Sequence, residues 1–263
     1  MENNSEKGKI GVFDSGLGGL VVLRELRKVL PEYDYVFYGD QKNLPYGNKT
    51  VDELFVIAKE NLSYLFDEQD CRAVFIACNT ISSNLYDKPK EWILVAYPDR
   101  FIFGIAKGTV DALASDTHFT VFATVRTIAS HRFSTLLTER FPDCTVDEVA
   151  LPELCSRIEA GENVEDYLAT FCGQFKEKGT CVLGCTHYGI VAETFANIFP
   201  GFTTIAQQEK ILPQFFKEYL AHRETIRSRL SVGGTLQILI SADNPVFREY
   251  ANKWFPNTEV VVV

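Results

Sequence analysis

Residues 72–80, Arg72-Ala73-Val74-Phe75-Ile76-Ala77-Cys78-Asn79-Thr80, and residues 180–187, Thr180-Cys181-Val182-Leu183-Gly184-Cys185-Thr186-His187, read alike. In each, a short apolar run passes straight into a cysteine and then into polar side chains. Such runs suit strands of a parallel sheet buried on both faces. Outward from the first, residues 9–15 read as a strand and 18–30 as a helix with Leu20, Leu23, Leu26 and Leu30 on one face. Residues 35–39 form a second strand. After the turn Pro45-Tyr46-Gly47 comes a helix over 51–66, which Thr50 can cap. A strand at 101–105 and a helix at 108–114 follow. The pattern then restarts: strand 119–123, helix 128–140, strand 145–150, helix 164–178. From Asp14 to Cys78 the chain advances 64 residues, and from Thr124 to Cys185 it advances 61. Two comparable units, each ending a strand in Cys-polar-polar, predict a duplication around a shared cleft. Residues 236–241, 245–255 and 260–263 read as strand, helix, strand returning to the first unit. The expected fold is therefore α/β, with two pseudo-symmetric domains on mainly parallel sheets and an active site between them. The first domain is expected to be discontinuous, 1–98 plus 207–263, and the second to be 99–206.

The bulk properties narrow the function classes. A length of 263 residues suits two cores, and a net charge of −9 argues against a general nucleic-acid binder. Residues 1–9 are polar and read as a frayed tail with no signal-peptide run. No apolar segment reaches the roughly 20 residues of a membrane helix. Seven cysteines, an odd number without a secretory signal, fit free thiols in a reducing cytoplasm.

Cys78 and Cys185 stand where strands end and helices begin, which is where α/β sheets bind ligands and where a thiolate meets a helix N-terminus. Two facing thiols suit a proton donor and a proton acceptor on opposite sides of one carbon. Cys71, Cys144, Cys155, Cys172 and Cys181 are expected to be small core residues. His187, two residues from Cys185, can move a proton near neutral pH. Asp14 either serves the site or caps the helix that follows, and Ser15 is a donor to a substrate carboxylate. No metal site is expected: Cys181 and Cys185, four apart on a strand, lie roughly 13 Å from each other. The glycine turn Gly16-Leu17-Gly18-Gly19, with Asp40 after the second strand, suggests a dinucleotide site only weakly. The third glycine of that fingerprint would fall at Val21.

Taken together, Asp14-Ser15-Gly16-Leu17-Gly18-Gly19-Leu20, Pro45-Tyr46-Gly47, Ala77-Cys78-Asn79-Thr80 and Gly184-Cys185-Thr186-His187-Tyr188 closely resemble the glutamate racemases, over nearly the whole chain. The resemblance implies a cofactor-independent isomerase that interconverts L- and D-glutamate and supplies D-glutamate for peptidoglycan. It implies Cys78 as the acid/base for D-glutamate and Cys185 for L-glutamate, assisted by Asp14 and His187, with Glu159 in support. Ser15, Pro45, Tyr46, Gly47, Asn79, Thr80, Thr124, Thr127 and Thr186 match substrate-binding positions. No nucleic-acid or membrane partner is implied, and a homodimer is compatible. The sequence departs from the family at Arg126, at Leu151, at Cys155-Ser156 (a Val-Pro pair in the family), at Gly189, and at Ile81-Ser82-Ser83. An inward Arg126 would add a carboxylate clamp. The rival readings are a racemase of another amino acid such as aspartate, and a catalytically silent binding protein on the same scaffold.

Overall fold

The computed structural model describes residues 7–85 and 87–263; most of the polar tail, residues 1–6, lies outside it. Among the described residues, ten strands, all parallel, form two sheets. The strands are β1 Lys9–Asp14, β2 Tyr35–Gly39, β3 Cys71–Ile76, β4 Phe101–Gly104, β5 His118–Ala123, β6 Thr145–Ala150, β7 Thr180–Leu183, β8 Thr204–Ala206, β9 Leu236–Ile240 and β10 Val260–Val262. The larger sheet runs β10-β9-β2-β1-β3-β4, and the smaller runs β6-β5-β7-β8. Every residue of β2, β5 and β7 is buried, as strands covered by helices on both faces must be. One face of the larger sheet presents Val12, Phe37 and Phe75 to Leu20, Leu23 and Leu26 of the helix Gly18–Val29. That cluster continues into Phe122 and Leu183 of the smaller sheet. The opposite face presents Phe13, Val36, Val74 and Ile76 to Leu54, Leu62 and Leu65.

In each half the chain lays its second strand on one side of its first and its third on the other. The order β2-β1-β3 is repeated as β6-β5-β7. The carboxyl ends of β1 with β3, and of β5 with β7, are therefore the two points where strand order reverses, and a crevice opens there for a ligand. Asp14 and Thr124 follow or end the first strand of each half, and Cys78 and Cys185 lie just beyond the third.

Several expectations need correction. Phe101–Gly104, placed in the second unit by a boundary at residue 98, pairs with β3. The crossing to the smaller sheet thus comes after Gly104. The helix expected over 128–140 is two, Val125–Ala129 and Arg132–Arg140. The Ser130 hydroxyl takes the Thr127 carbonyl at 2.6 Å and His131 adopts a positive φ, which ends the first. The helix expected over 164–178 stops at Ala169, where the Thr170 hydroxyl bonds the Tyr167 carbonyl and Gly173 turns left-handed. Thr50 does cap the helix Val51–Ser63, in a reciprocal box with Glu53. Among the described residues no helix is long and apolar enough to cross a membrane.

Candidate active site

Both cysteines occupy cap positions. Cys78 precedes the helix Asn79–Asn84, and Cys185 precedes the short 3₁₀ helix Thr186–Val191. They line one cavity together with Ser15, Pro45, Tyr46, Gly47, Asn79, Thr80, Thr124, Thr186 and His187. Three anticipated residues stand behind that wall. Thr127 is buried and tied to Thr124 by its hydroxyl (3.0 Å) and its N–H (3.2 Å). Asp14 is fully buried and accepts from the Gly16 N–H at 2.9 Å, from Ser15 at 3.2 Å and from the Thr186 hydroxyl at 2.9 Å. One carboxylate therefore joins the first strand's turn to the second half's cysteine loop. Glu159 accepts from the Leu17 N–H at 2.6 Å and holds Nε2 of His187 at 2.6 Å. That leaves Nδ1 of His187 directed at the Cys185 sulfur, 3.7 Å away.

The two sulfurs are poised oppositely, although both sit at the start of a helical turn. Burial, reinforced by the negative Asp14, pushes the Cys78 thiol far up, so it stays protonated. Burial also works against the Cys185 thiolate, but the Cys155 thiol and His187 outweigh it and bring Cys185 down. His187 is held well above the ordinary histidine range: burial opposes its charge, and the sulfur and Glu159 overcome that. The helix terminus does favour the Cys78 thiolate, through the Ile81 N–H, but desolvation is the larger effect there.

Gly16 and Gly18 of the Gly16-Leu17-Gly18-Gly19 turn serve contact between halves. A Cβ on Gly18 would overlap the Thr186 hydroxyl and lie 2.7 Å from Nδ1 of His187; one on Gly16 would overlap Glu159. Gly18→Ala is therefore expected to destabilise the fold by about 1–3 kcal/mol through overpacking and to remove most activity. A denaturation midpoint and a turnover rate both matching the parent would count against this account.

Asp40, noted above as part of a weak dinucleotide pattern, instead gathers the Tyr46 hydroxyl (2.6 Å), Asn61 (3.1 Å) and Ser241 (2.8 Å) and so holds the Pro-Tyr-Gly turn in the wall. Gln208 was not anticipated. It exchanges reciprocal hydrogen bonds with Asn79, 2.7 and 3.0 Å, and so fixes the orientation of an amide that borders the cavity. No local pattern marks a glutamine 129 residues away as that partner. Arg126 does not join the cavity-lining residues, and its Nε is buried without a hydrogen bond, so the expected clamp is not formed. Leu151 is buried and its carbonyl accepts from Tyr188. Gly189 lies against the Glu209 carboxylate, where any Cβ would crowd it. Of the presumed core cysteines, Cys71 and Cys181 are buried, Cys144 is partly buried, and Cys172 is exposed beyond the shortened helix. Cys155 lines the cavity.

With this geometry in place, likeness to known proteins can be weighed. A glutamate racemase of Caldanaerobacter subterraneus subsp. tengcongensis, the second of three from that organism, is 33% identical over 256 residues, covering 92% of this chain and 91% of its own length. The chain belongs to the glutamate racemase family. It is thus an isomerase of the racemase type. The family's solved structures share the fold. The Francisella tularensis enzyme in complex with D-glutamate has a TM-score of 0.82 at 23% identity, with 98% of each chain covered. An isoform from Bacillus anthracis gives 0.83 at 22%, again with 98% of each chain covered. No protein-family model matches the chain.

Proposed function

We propose that this chain interconverts L- and D-glutamate by two-base proton transfer between Cys185 and Cys78, without a cofactor, and supplies D-glutamate to peptidoglycan in the cytoplasm. The observation that carries the reading is one cavity lined by two sulfurs, one favouring thiolate and the other thiol. The relatives support glutamate as substrate. In the L-to-D direction the Cys185 thiolate takes the α-proton and the Cys78 thiol delivers one to the opposite face. The reverse direction starts from the opposite protonation state. His187, pinned by Glu159, compensates the charge on Cys185. The Thr80 and Thr124 hydroxyls border the cavity and can turn a donor to a carboxylate whose α-carbon is losing its proton, while the Ser15 and Thr186 hydroxyls donate to Asp14.

The deciding experiment is L-glutamate in deuterium oxide, sampled early. Two bases predict deuterium at Cα of the D-glutamate formed while the remaining L-glutamate stays unlabelled. A single shuttling base would return the substrate's own proton to the product. Product without solvent deuterium would therefore overturn the two-cysteine mechanism, and no D-glutamate at all would overturn the substrate.

Asp14 sets a pH dependence. Burial pushes its carboxyl up to about 6, against the pull of His187 and of its hydrogen bonds. Above that pH it is a carboxylate accepting from Ser15, Gly16 and Thr186; below, it protonates and that bridge weakens. We expect kcat/KM, which reports the free enzyme, to fall as pH drops through about 6. In Asp14→Asn the rate should be lower and flat across that range. An unchanged acid limb in the variant would assign the limb to another group. Because the folded value is raised, the ionised Asp14 opposes folding, an effect absent below its ordinary 3.8 and complete above about 6.

A further inference from the structure

We infer that Cys155, Cys185 and His187 form a zinc site whose occupation shuts off proton transfer. The two sulfurs and a ring nitrogen of His187 all lie within 4.8 Å of one another. A tetrahedral zinc ion places two sulfur ligands about 3.8 Å apart, and a sulfur and a nitrogen about 3.6 Å apart. The Cys185 sulfur and Nδ1 of His187 are already at 3.7 Å. The Cys155 sulfur lies within 4.8 Å of both, about 1 Å at most beyond the spacing of two zinc-bound sulfurs.

The surroundings meet the other requirements of a metal site. The ring nitrogen away from the sulfurs, Nε2, bonds Glu159 at 2.6 Å, the carboxylate–histidine arrangement that orients an imidazole toward a metal. Glu159 is itself fixed by the Leu17 N–H at 2.6 Å. Two thiolates balance the charge of one zinc ion. An entry path exists too: Cys155 lines both the catalytic cavity and an adjoining outer pocket bordered by Leu44, Ser156 and Ala160. The fourth coordination position is left for water or substrate. In sequence the site reads as Cys155-x-x-x-Glu159 on one helix, with Cys and Glu a turn apart, and Cys185-x-His187 at a strand end. The inhibitory half of the inference rests on Cys185 being a proton carrier; the binding half does not.

The test uses the whole chain, stripped with a chelator and kept reduced, titrated with cobalt(II) as the spectroscopic probe and then competed with zinc. The expected result is one ion per chain with tetrahedral d–d bands and a thiolate-to-cobalt charge-transfer band. Cys155→Val should lose affinity by more than the roughly 10–100-fold that removing an outer partner costs, and Glu159→Gln should show that smaller loss with all ligands present. Cys172→Ser, which removes an exposed cysteine, should bind as the parent does. Parent-like binding by Cys155→Val, or loss of binding in Cys172→Ser, would overturn the site. Zinc should also stop racemisation at the concentration that fills the site, while Cys155→Val keeps its own zinc-free rate there. Binding in a chain that never racemises glutamate would sink the proposed function and leave the metal site standing. An active enzyme that binds zinc and stays active would sink the inhibition.

Discussion

Replacing Cys185 by serine is expected to slow racemisation about 10²–10⁴-fold, the range that a positioned acid or base contributes. The serine hydroxyl fits the space but is far less acidic than a thiol. His187 and Glu159, which bring the Cys185 sulfur toward thiolate, cannot do the same for an alcohol. Cys78→Ser should lose as much for the mirror reason, because the buried thiol that delivers the second proton is gone. The loss must appear in both directions. Enantiomers are equally stable, so kcat/KM for L- and D-glutamate must fall by the same factor in any variant, and asymmetry can show only in kcat and KM separately. Near-parental turnover by either serine variant would refute the assignment. A coupled assay for each enantiomer, with circular dichroism to confirm folding, is sufficient.

Substituting His187 by asparagine should cost about 10²-fold in kcat/KM, the lower end of the acid–base range. The sulfur is retained, but the cation 3.7 Å from it is lost. Cys185 then moves back toward thiol, because the Cys155 thiol alone of the two side chains is left to oppose burial. A second readout isolates this from any general damage. Alkylation of Cys185 by iodoacetamide at neutral pH, followed by peptide mapping, should slow along with turnover, since the thiolate is the nucleophile. Exposed Cys172 serves as the internal standard. Parental alkylation at Cys185 in a slow variant would show that His187 acts on the substrate and not on the sulfur.

Much of the site was legible because its chemistry sits at strand ends. A buried strand that stops at cysteine and continues in polar residues marks the carboxyl edge of a sheet, and both such edges proved to be cavity walls. The repeated spacing before Cys78 and Cys185 anticipated the repeated strand order. The misreadings share one physical origin: local patterns do not report partners far along the chain. Gln208, the partner that fixes the Asn79 amide, lies 129 residues from it. Arg126 looked like a clamp, yet it does not join the cavity-lining residues. Helix lengths failed at Ser130 and Thr170, where a hydroxyl captured a carbonyl and a left-handed residue followed or lay close by.

Local order thus determined the strands, most helices and the two thiol-bearing turns, because hydrophobic period and capping chemistry act over a few residues. Tertiary structure alone decided the protonation of the thiols. Both sulfurs are buried, and what separates them is what the fold sets beside each: Asp14 next to Cys78, and Cys155 and His187, with Glu159 behind the imidazole, next to Cys185. Apart from His187, two residues from Cys185, those neighbours come from tens of residues away, and only a packed core with little water between them makes their charges count.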